Sequence, residues 1–185
     1  MRKKSIIFII FAIAVLGGKN MQTSVNTDTT EKQKGPISQT QPPKQPQINL
    51  VIVTRVVDGD TIIVDINGAQ EKIRFIGIDT PEAVDPRKPV QCFGKEASAF
   101  TKNLLEGKSV RLESDLSQGD RDKYDRLLRY VFLSDGTFVN KEIISQGYGH
   151  EYTHRTPYRY QDDFKIAELT ARTSHLGLWS PTACK

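Results

Sequence analysis

The chain has 185 residues, a net charge of +4 at pH 7 and a pI near 9.0. This length accommodates one domain of ordinary size plus a tail, and such a domain can bury a core without metal or disulfide support. The positive charge does not indicate a phosphate-binding domain, because residues 1–47 carry +5 and residues 48–185 carry −1. The basic excess therefore belongs to the tail.

Residues 1–18 have the pattern of a secretory signal peptide. Three basic residues precede an apolar run over residues 6–16, and two glycines follow it. The run is shorter than the ~20 residues that span a bilayer, so an exported, extracytoplasmic protein is favoured over the alternative of an uncleaved anchor. Residues 19–47 are polar and proline-rich, which predicts a disordered linker. The folded domain is expected over residues 48–180, with a short tail at 181–185.

Three strands joined by tight turns are predicted at the start of the domain. They cover residues 48–57, 62–66 and 71–78, and the Asn-Gly pair at 67–68 is typical of a type I′ hairpin. This meander returns the end of the third strand to the start of the second, so Asp60 and Asp79 are expected to meet. In a regular pleat Arg74 and Asp79 would face opposite sides, and we expect Gly77 to bend the strand.

Helices and two further strands follow in the second half of the domain. Apolar spacing predicts helices over residues 94–105, 137–146 and 158–174, and strands near residues 110–112 and over 127–133. Residues 175–179 are expected to fold back and pack. Five strands with a helix between the third and fourth predict an α+β fold, an OB-type five-stranded Greek-key barrel with about three helices.

Residues 74–82 carry the strongest chemical signal in the sequence. An apolar strand begins with Arg74 and ends with Asp79 and Glu82, and Pro81 cannot extend the ladder. Carboxylates with a backbone carbonyl between them suit a hard cation. No Cys or His residues cluster in the sequence here, so Ca²⁺, Mg²⁺ or Mn²⁺ is favoured over zinc.

Five short motifs lie at residues 56–61, 74–82, 94–97, 122–126 and 177–179. In their order and spacing, over about residues 50–180, they resemble the staphylococcal nuclease (thermonuclease) family. The resemblance implies an OB-fold barrel that hydrolyses phosphodiester bonds of DNA and RNA with Ca²⁺ and leaves 3′-phosphate ends. We expect single-stranded substrates to be preferred, a monomer, and no stable membrane partner.

The resemblance also implies a set of Ca²⁺ ligands. Asp60, Asp79 and the Thr80 carbonyl match the metal-binding positions of the family, and Asp58 matches an acidic position that supports metal hydration. The alternative is that Asp58 and Asp60 are turn residues, as aspartate beside glycine usually is.

The catalytic positions of the family match Arg74, Glu82 and Arg126. Arginine can donate two parallel hydrogen bonds to a phosphate, and a glutamate can accept a proton from an attacking water or orient it. Lys123 and Tyr124 match positions that contact a terminal phosphate. The alternatives are solvated strand-edge arginines and a first-turn helix position for Glu82.

The sequence departs from the family at two places. The family motif has glycine before Arg126, whereas this chain has Asp125, whose carboxylate is expected to pair with Arg126 or to shift the loop, with reduced activity as a consequence. The segment after Gly147 lacks the aromatic pattern of the family, and Tyr152 is the candidate for a contact with the base.

Two competing functions remain open from the sequence. An OB barrel can bind nucleic acid without catalysis, or it can serve as a surface-exposed interaction domain. A pure binder has no need for Glu82, so the joint presence of Arg74, Glu82 and Arg126 favours the nuclease.

The chain has two cysteines, Cys92 and Cys184, and it is expected to be exported. This favours a disulfide over the alternative of two free thiols. Closing so long a loop contributes about 4 to 5 kcal/mol in the chain-entropy model.

Overall fold

Five strands close into a barrel around the core of the protein. The structure is a computed structural model, and it describes residues 49–86 and 89–184. The barrel strands are β1 (Leu50–Asp58), β2 (Thr61–Ile66), β3 (Ala69–Phe75), β5 (Ser109–Glu113) and β6 (Leu127–Leu133). The predicted signal peptide and linker lie outside the described residues, so their boundaries stay predictions.

The strand order around the barrel is β1, β2, β3, β6 and β5. The β3–β6 pair is parallel, and the other four pairs are antiparallel. The predicted hairpin joins β2 to β3, where Asn67 and Gly68 both have positive φ angles of 55° and 87°. This closed, mixed barrel confirms the predicted OB-type fold.

Three helices accompany the barrel. They are α1 (Gly94–Leu105), α2 (Val139–Ser145) and α3 (Gln161–Thr173), and a short 3₁₀ helix covers Gly177–Trp179. The predicted bounds of α1 agree with the structure, whereas α2 and α3 are shorter than predicted at both ends. In the described part of the chain, no helix has the length and apolar character of a membrane span.

The core fills the barrel and extends under α2 and α3. Its largest fully buried side chains come from β2, β3, β6 and the helices, and they include Ile62, Ile73, Phe75, Tyr130, Ile143 and Phe164. Phe164, Ala167 and Ala171 form the buried side of α3.

The third strand ends earlier than its sequence predicted. The prediction of one strand over residues 71–78 is wrong, because β3 stops at Phe75 and a turn precedes the two-residue strand β4 (Ile78–Asp79). Gly77 has a φ of +79° in this turn, and a Cβ there would lie 2.6 Å from the ring of Tyr158. Glycine is required for both reasons. The turn changes the direction in which Asp79 points.

Strand β4 pairs with a short strand from the second half of the chain. β7 (His150–Glu151) lies antiparallel to β4, with Asp79 opposite His150. The Tyr158 hydroxyl donates to the Gly77 carbonyl oxygen at 3.2 Å. The segment after the barrel strand is thus held by residues that follow α2.

Asp115, in the loop after β5, is a buried carboxylate satisfied by four donors. Its oxygens accept hydrogen bonds from the Tyr130 hydroxyl (2.7 Å), the Arg159 backbone N–H (2.9 Å) and both the N–H and the hydroxyl of Ser117 (3.0 and 2.8 Å). Burial alone would raise the pKa of Asp115, but these hydrogen bonds outweigh it and lower the pKa to about 2. The carboxylate therefore joins the β5–β6 loop to the start of α3.

We expect the Asp115 carboxylate to stabilise the fold above pH 4 and to lose this effect as the pH falls towards 2. Its folded pKa of about 2 lies below the ordinary aspartate pKa of 3.8, so protonation favours the unfolded chain and removes about 2 kcal/mol from the free energy of unfolding. Urea unfolding between pH 2 and pH 7 should show this dependence in the wild type and its loss in Asp115→Asn. Asp162→Asn, at an exposed position, is the control and should retain it; an unchanged profile in Asp115→Asn would contradict the assignment.

Candidate functional site

A cleft of about 650 Å³ opens at the edge of the barrel where the β1–β2 turn meets the end of β3. Most of the predicted site residues line it: Asp58, Asp60, Arg74, Asp79, Thr80, Glu82, Tyr124 and Arg126. They come from three separate stretches of the chain. The fold therefore brings these three stretches together around one cleft.

The β1–β2 turn places two almost buried carboxylates at the floor of the cleft. Asp58 and Asp60 are each 7% exposed. Gly59 between them packs so closely that a Cβ there would lie 2.7 Å from the Thr80 hydroxyl oxygen. From α1, the Thr101 hydroxyl donates to the Gly59 carbonyl at 2.7 Å. The turn is therefore fixed by contacts on both sides.

Asp60 binds the segment that follows β4. Its Oδ2 accepts hydrogen bonds from the Thr80 N–H at 3.0 Å and the Thr80 hydroxyl at 3.2 Å, and its Oδ1 accepts one from the Thr61 hydroxyl at 2.9 Å. An ordinary turn aspartate bonds to its own turn, whereas Asp60 reaches a residue 20 positions away. The turn-residue interpretation therefore does not account for Asp60.

Arg74 joins the two carboxylates that the sequence assigned to a metal. Its guanidinium lies 3.1 Å from Asp60 Oδ2 and 2.8 Å from Asp79 Oδ1. It also donates to the Ile78 carbonyl at 2.8 Å. The side chain is only 13% exposed, so Arg74 is not a solvated strand-edge charge.

Glu82 lies in an irregular segment and not in a helix, so the helix interpretation is wrong. Its Oε1 accepts hydrogen bonds from the Val84 N–H (2.8 Å) and the Asp85 N–H (3.0 Å). Burial opposes ionisation, but the Val84 N–H, a hydrogen bond from Asp58 and the Asp85 N–H together lower the pKa of Glu82. The glutamate is therefore ionised at neutral pH.

Asp58 shares a hydrogen bond with Glu82 and titrates near neutrality. Burial, then this hydrogen bond and the charges of Asp60 and Glu82, raise the pKa of Asp58 to about 7, against the opposing effect of the Gly59 N–H. Burial also raises the pKa of Asp79, although Arg74 opposes the shift. Burial is the main cause of both upward shifts, and the neighbouring carboxylates add to them.

Arg126 enters the cleft from the loop before β6. Asp122 orients it, because Asp122 Oδ2 lies 2.6 Å from both Nε and Nη2 of the guanidinium. The Tyr124 ring lies beneath it, with its centroid 5.5 Å from the guanidinium carbon. No role was predicted for Asp122, since only the loop conformation brings this carboxylate back to Arg126.

The expectation that Asp125 pairs with Arg126 is wrong. The Asp125 carboxylate lies 3.6 Å from Arg121 instead and is 88% exposed. Asp125 has a φ of +63°, the left-handed conformation in which glycine is favoured. A glycine at this position would adopt the same conformation without steric cost.

Two predicted substrate contacts do not line the cleft. The Lys123 ammonium lies 4.9 Å from the centroid of the Tyr124 ring, at the rim. Tyr152 follows β7, and its hydroxyl lies 3.1 Å from His154 Nδ1 on the surface. Neither residue belongs to the cleft as the structure describes it.

Gln91 is a cleft residue that the sequence did not indicate. Its backbone N–H donates to the Glu82 carbonyl at 2.8 Å, and its side-chain oxygen accepts from the Glu82 N–H at 2.7 Å. No sequence motif indicates Gln91, because its contact with Glu82 joins two residues nine positions apart and depends on the loop conformation. The next residue, Cys92, is joined to Cys184 by a disulfide.

Among the described residues that line the cleft, five carboxylates face three cationic side chains. The acids are Asp58, Asp60, Asp79, Glu82 and Asp85, and the cations are Lys72, Arg74 and Arg126. The cleft has one surplus negative charge when Asp58 is protonated and two when Asp58 is ionised. Asp60, Asp79 and the Thr80 carbonyl are hard oxygen donors, which fit Ca²⁺ or Mg²⁺. No group of three or more His, Cys, Asp and Glu side chains is arranged as a metal site in residues 49–86 and 89–184.

The fold and the cleft define an OB-barrel protein with an acidic site that two arginines enter. A family profile described as staphylococcal nuclease homologue matches residues 72–181. The chain is 44% identical to the thermonuclease of Staphylococcus hyicus over 128 residues, which are 69% of this chain and 74% of that protein. It is 36% identical to endonuclease YncB of Bacillus subtilis over 163 residues, 86% of this chain and 76% of that protein.

A third relative, the SPbeta prophage-derived endonuclease YokF of Bacillus subtilis, is 40% identical over 132 residues, 70% of this chain and 44% of that protein. The profile match covers more than half of the chain. The chain therefore belongs to the staphylococcal nuclease family, as its motifs predicted.

We expect the left-handed conformation at residue 125 to control which side chains this loop accepts. Asp125→Gly should keep or raise the stability, because glycine removes the steric cost of the positive φ and only an exposed ion pair is lost. Asp125→Val should lower the free energy of unfolding by about 1 to 2 kcal/mol. Urea unfolding of the three proteins measures this order, and a valine variant as stable as wild type would contradict it.

Proposed function

We propose that this protein is a Ca²⁺-dependent endonuclease that hydrolyses the phosphodiester bonds of single-stranded DNA and RNA and leaves 3′-phosphate ends. By its family the chain is a nuclease enzyme, and relatives named thermonuclease and endonuclease support this. The observation that carries the finer proposal is that Arg74, Glu82 and Arg126 line one cleft together with Asp60 and Asp79.

The cation would be held by Asp60, Asp79 and the Thr80 carbonyl. When bound, Ca²⁺ supplies Lewis-acid stabilisation of charge on a phosphate oxygen. Support comes from the surplus of carboxylates in the cleft and from their hard oxygen ligands. Asp58 would add negative charge near the metal and bond to its water ligands.

Arg74 and Arg126 would bind the scissile phosphate. Each guanidinium can donate two parallel hydrogen bonds, which complement the equatorial oxygens of a pentacovalent phosphorus better than an ammonium would. Their carboxylate partners, Asp79 for Arg74 and Asp122 for Arg126, fix both guanidinium groups before substrate binds. Little reorganisation is then needed in the transition state.

Glu82 would orient and deprotonate the attacking water. The water oxygen forms a bond to phosphorus while the bond to the 5′ oxygen breaks, and the proton from water goes to Glu82. Arg126 would stabilise the negative charge on the departing 5′ oxygen. The 3′ oxygen keeps its bond to phosphorus, so the product is a 3′-phosphate end.

Export of the protein is a further part of this proposal. The pattern at residues 1–18 supports it, and so does the disulfide between Cys92 and Cys184, because such bonds persist outside reducing cytoplasm. Mass spectrometry of the protein recovered from expressing cells should find it outside the cytoplasm without its first residues. Recovery only of full-length chain from the cytoplasmic fraction would contradict export.

We expect Glu82→Gln to lower kcat for denatured DNA by about 10² to 10⁴-fold, since the amide cannot accept the proton from water. Removal of Ca²⁺ with a chelator should abolish cleavage by the wild type, and Ca²⁺ should restore it. Glu106→Gln, a change at the exposed residue that follows α1, is the matched control and should cleave as the wild type does.

The same assay distinguishes the nuclease from a binding domain. Retained binding of DNA by Glu82→Gln, with loss of cleavage, supports the mechanism. If neither the metal nor Glu82 affects cleavage, the proposed mechanism is wrong.

A further inference from the structure

Residues 91–94 contact the backbone of Glu82 and restrict its position. Two hydrogen bonds join Gln91 and Glu82, from the Gln91 N–H to the Glu82 carbonyl (2.8 Å) and from the Glu82 N–H to Gln91 Oε1 (2.7 Å). Gly94 packs against the same carbonyl, where a Cβ would lie 2.7 Å from the oxygen. The position of Glu82 in the cleft therefore depends on the position of this short segment.

The turn that carries Gln91 has a conformation that its residues do not favour. Phe93 has a φ of +67°, in the left-handed region, which is unfavourable for a bulky side chain. No side chain caps α1 at this residue. Such a conformation persists only where the surroundings impose it. Here the Phe93 ring packs 5.4 Å from the Tyr148 ring, and the disulfide holds the preceding residue, Cys92.

The other end of the disulfide is fixed to the helical part of the fold. Cys184 follows the 3₁₀ helix, in which the Leu178 N–H donates to the Gly147 carbonyl at 2.8 Å. The Arg172 guanidinium carbon lies 3.8 Å above the centroid of the Trp179 ring. The bond therefore connects the Gln91 turn to α2 and α3.

We propose that Gln91 is a positioning residue for Glu82 and that the Cys92–Cys184 bond keeps it in place, so that full nuclease activity requires the oxidised pair. This inference rests on the proposed role of Glu82. A dithiol breaks the sulfur–sulfur bond by giving two electrons and two protons, which leaves two cysteine thiols and the dithiol as its own disulfide. The turn at Phe93 then loses one of the restraints on its conformation, and Gln91 no longer holds Glu82 in one orientation.

The first experiment compares the wild type with the double variant Cys92→Ser/Cys184→Ser. The variant should cleave denatured DNA in Ca²⁺ with a kcat about 10 to 100-fold lower, because displacement of a catalytic group by about 1 Å has effects of that size. KM should be unchanged. A dithiol should lower kcat of the wild type to the same level and should not affect the variant. All rates are measured at a temperature where circular dichroism shows both proteins folded.

A second experiment separates positioning from general stability. The cysteine substitutions are combined with Glu82→Gln, and the residual cleavage is compared with that of Glu82→Gln alone. If the disulfide acts through Glu82, its loss has no further effect in this background. An equal fold-loss in both backgrounds overturns the proposal, and so does full activity of the double serine variant.

A third comparison tests Gln91 directly. Gln91→Met retains the approximate volume and removes the oxygen that accepts from the Glu82 N–H, so kcat should fall about tenfold. Gln146→Met makes the same change at an exposed position at the end of α2 and should leave kcat unchanged. Wild-type kcat in Gln91→Met overturns its positioning role.

Failure of this inference can be told apart from failure of the proposed function. If Glu82→Gln does not reduce cleavage by the oxidised protein, the proposed function of the cleft is wrong. If Glu82→Gln does reduce it while the double serine variant cleaves as the wild type, only the role of the disulfide and Gln91 is wrong.

Discussion

The site depends on the change of direction at Gly77. A continuous strand would place Arg74 and Asp79 on opposite faces of the sheet. The turn with φ +79° instead brings the Asp79 carboxylate to 2.8 Å from the Arg74 guanidinium, which also contacts Asp60. The side chains of Arg74, Asp60 and Asp79, which come from two strands and a turn, are therefore in direct contact. Gly77 packs against Tyr158 so closely that no Cβ could be accommodated there.

The sequence predicted the features that local rules determine. The Asn-Gly hairpin fixes the register of β2 and β3, so Thr61 lies opposite Arg74 and the end of β3 returns to Asp60. The helix predicted over residues 94–105 and the strand predicted over residues 127–133 have the bounds of α1 and β6. A bend at Gly77 was expected because Arg74 and Asp79 would face opposite sides of a regular strand. The strand was nevertheless predicted to continue to Ile78.

Contacts between distant segments could not be predicted in the same way. The buried Asn140 side chain accepts from the Val131 N–H at 2.9 Å and donates to the Ile76 carbonyl at 2.9 Å, which fastens α2 beside the Gly77 turn. A lone asparagine at the start of a helix carries no signal of this role. The partner of Arg126 was likewise missed, because Asp122 and Asp125 are both acidic neighbours and only the backbone conformation decides between them. Gln91 has no motif at all.

The contact beneath Gly77 also determines when the cleft can form during synthesis. Tyr158 and Phe164, whose rings lie against Gly77, are about 80 residues further along the chain, and the second cysteine of the disulfide is Cys184. The carboxylates and arginines of the cleft are all translated before these supports. A nascent chain that ends before α3 therefore has every polar group of the site but lacks the packing that aligns them. The order of translation therefore delays a fully packed cleft until α3 and Cys184 have been synthesised.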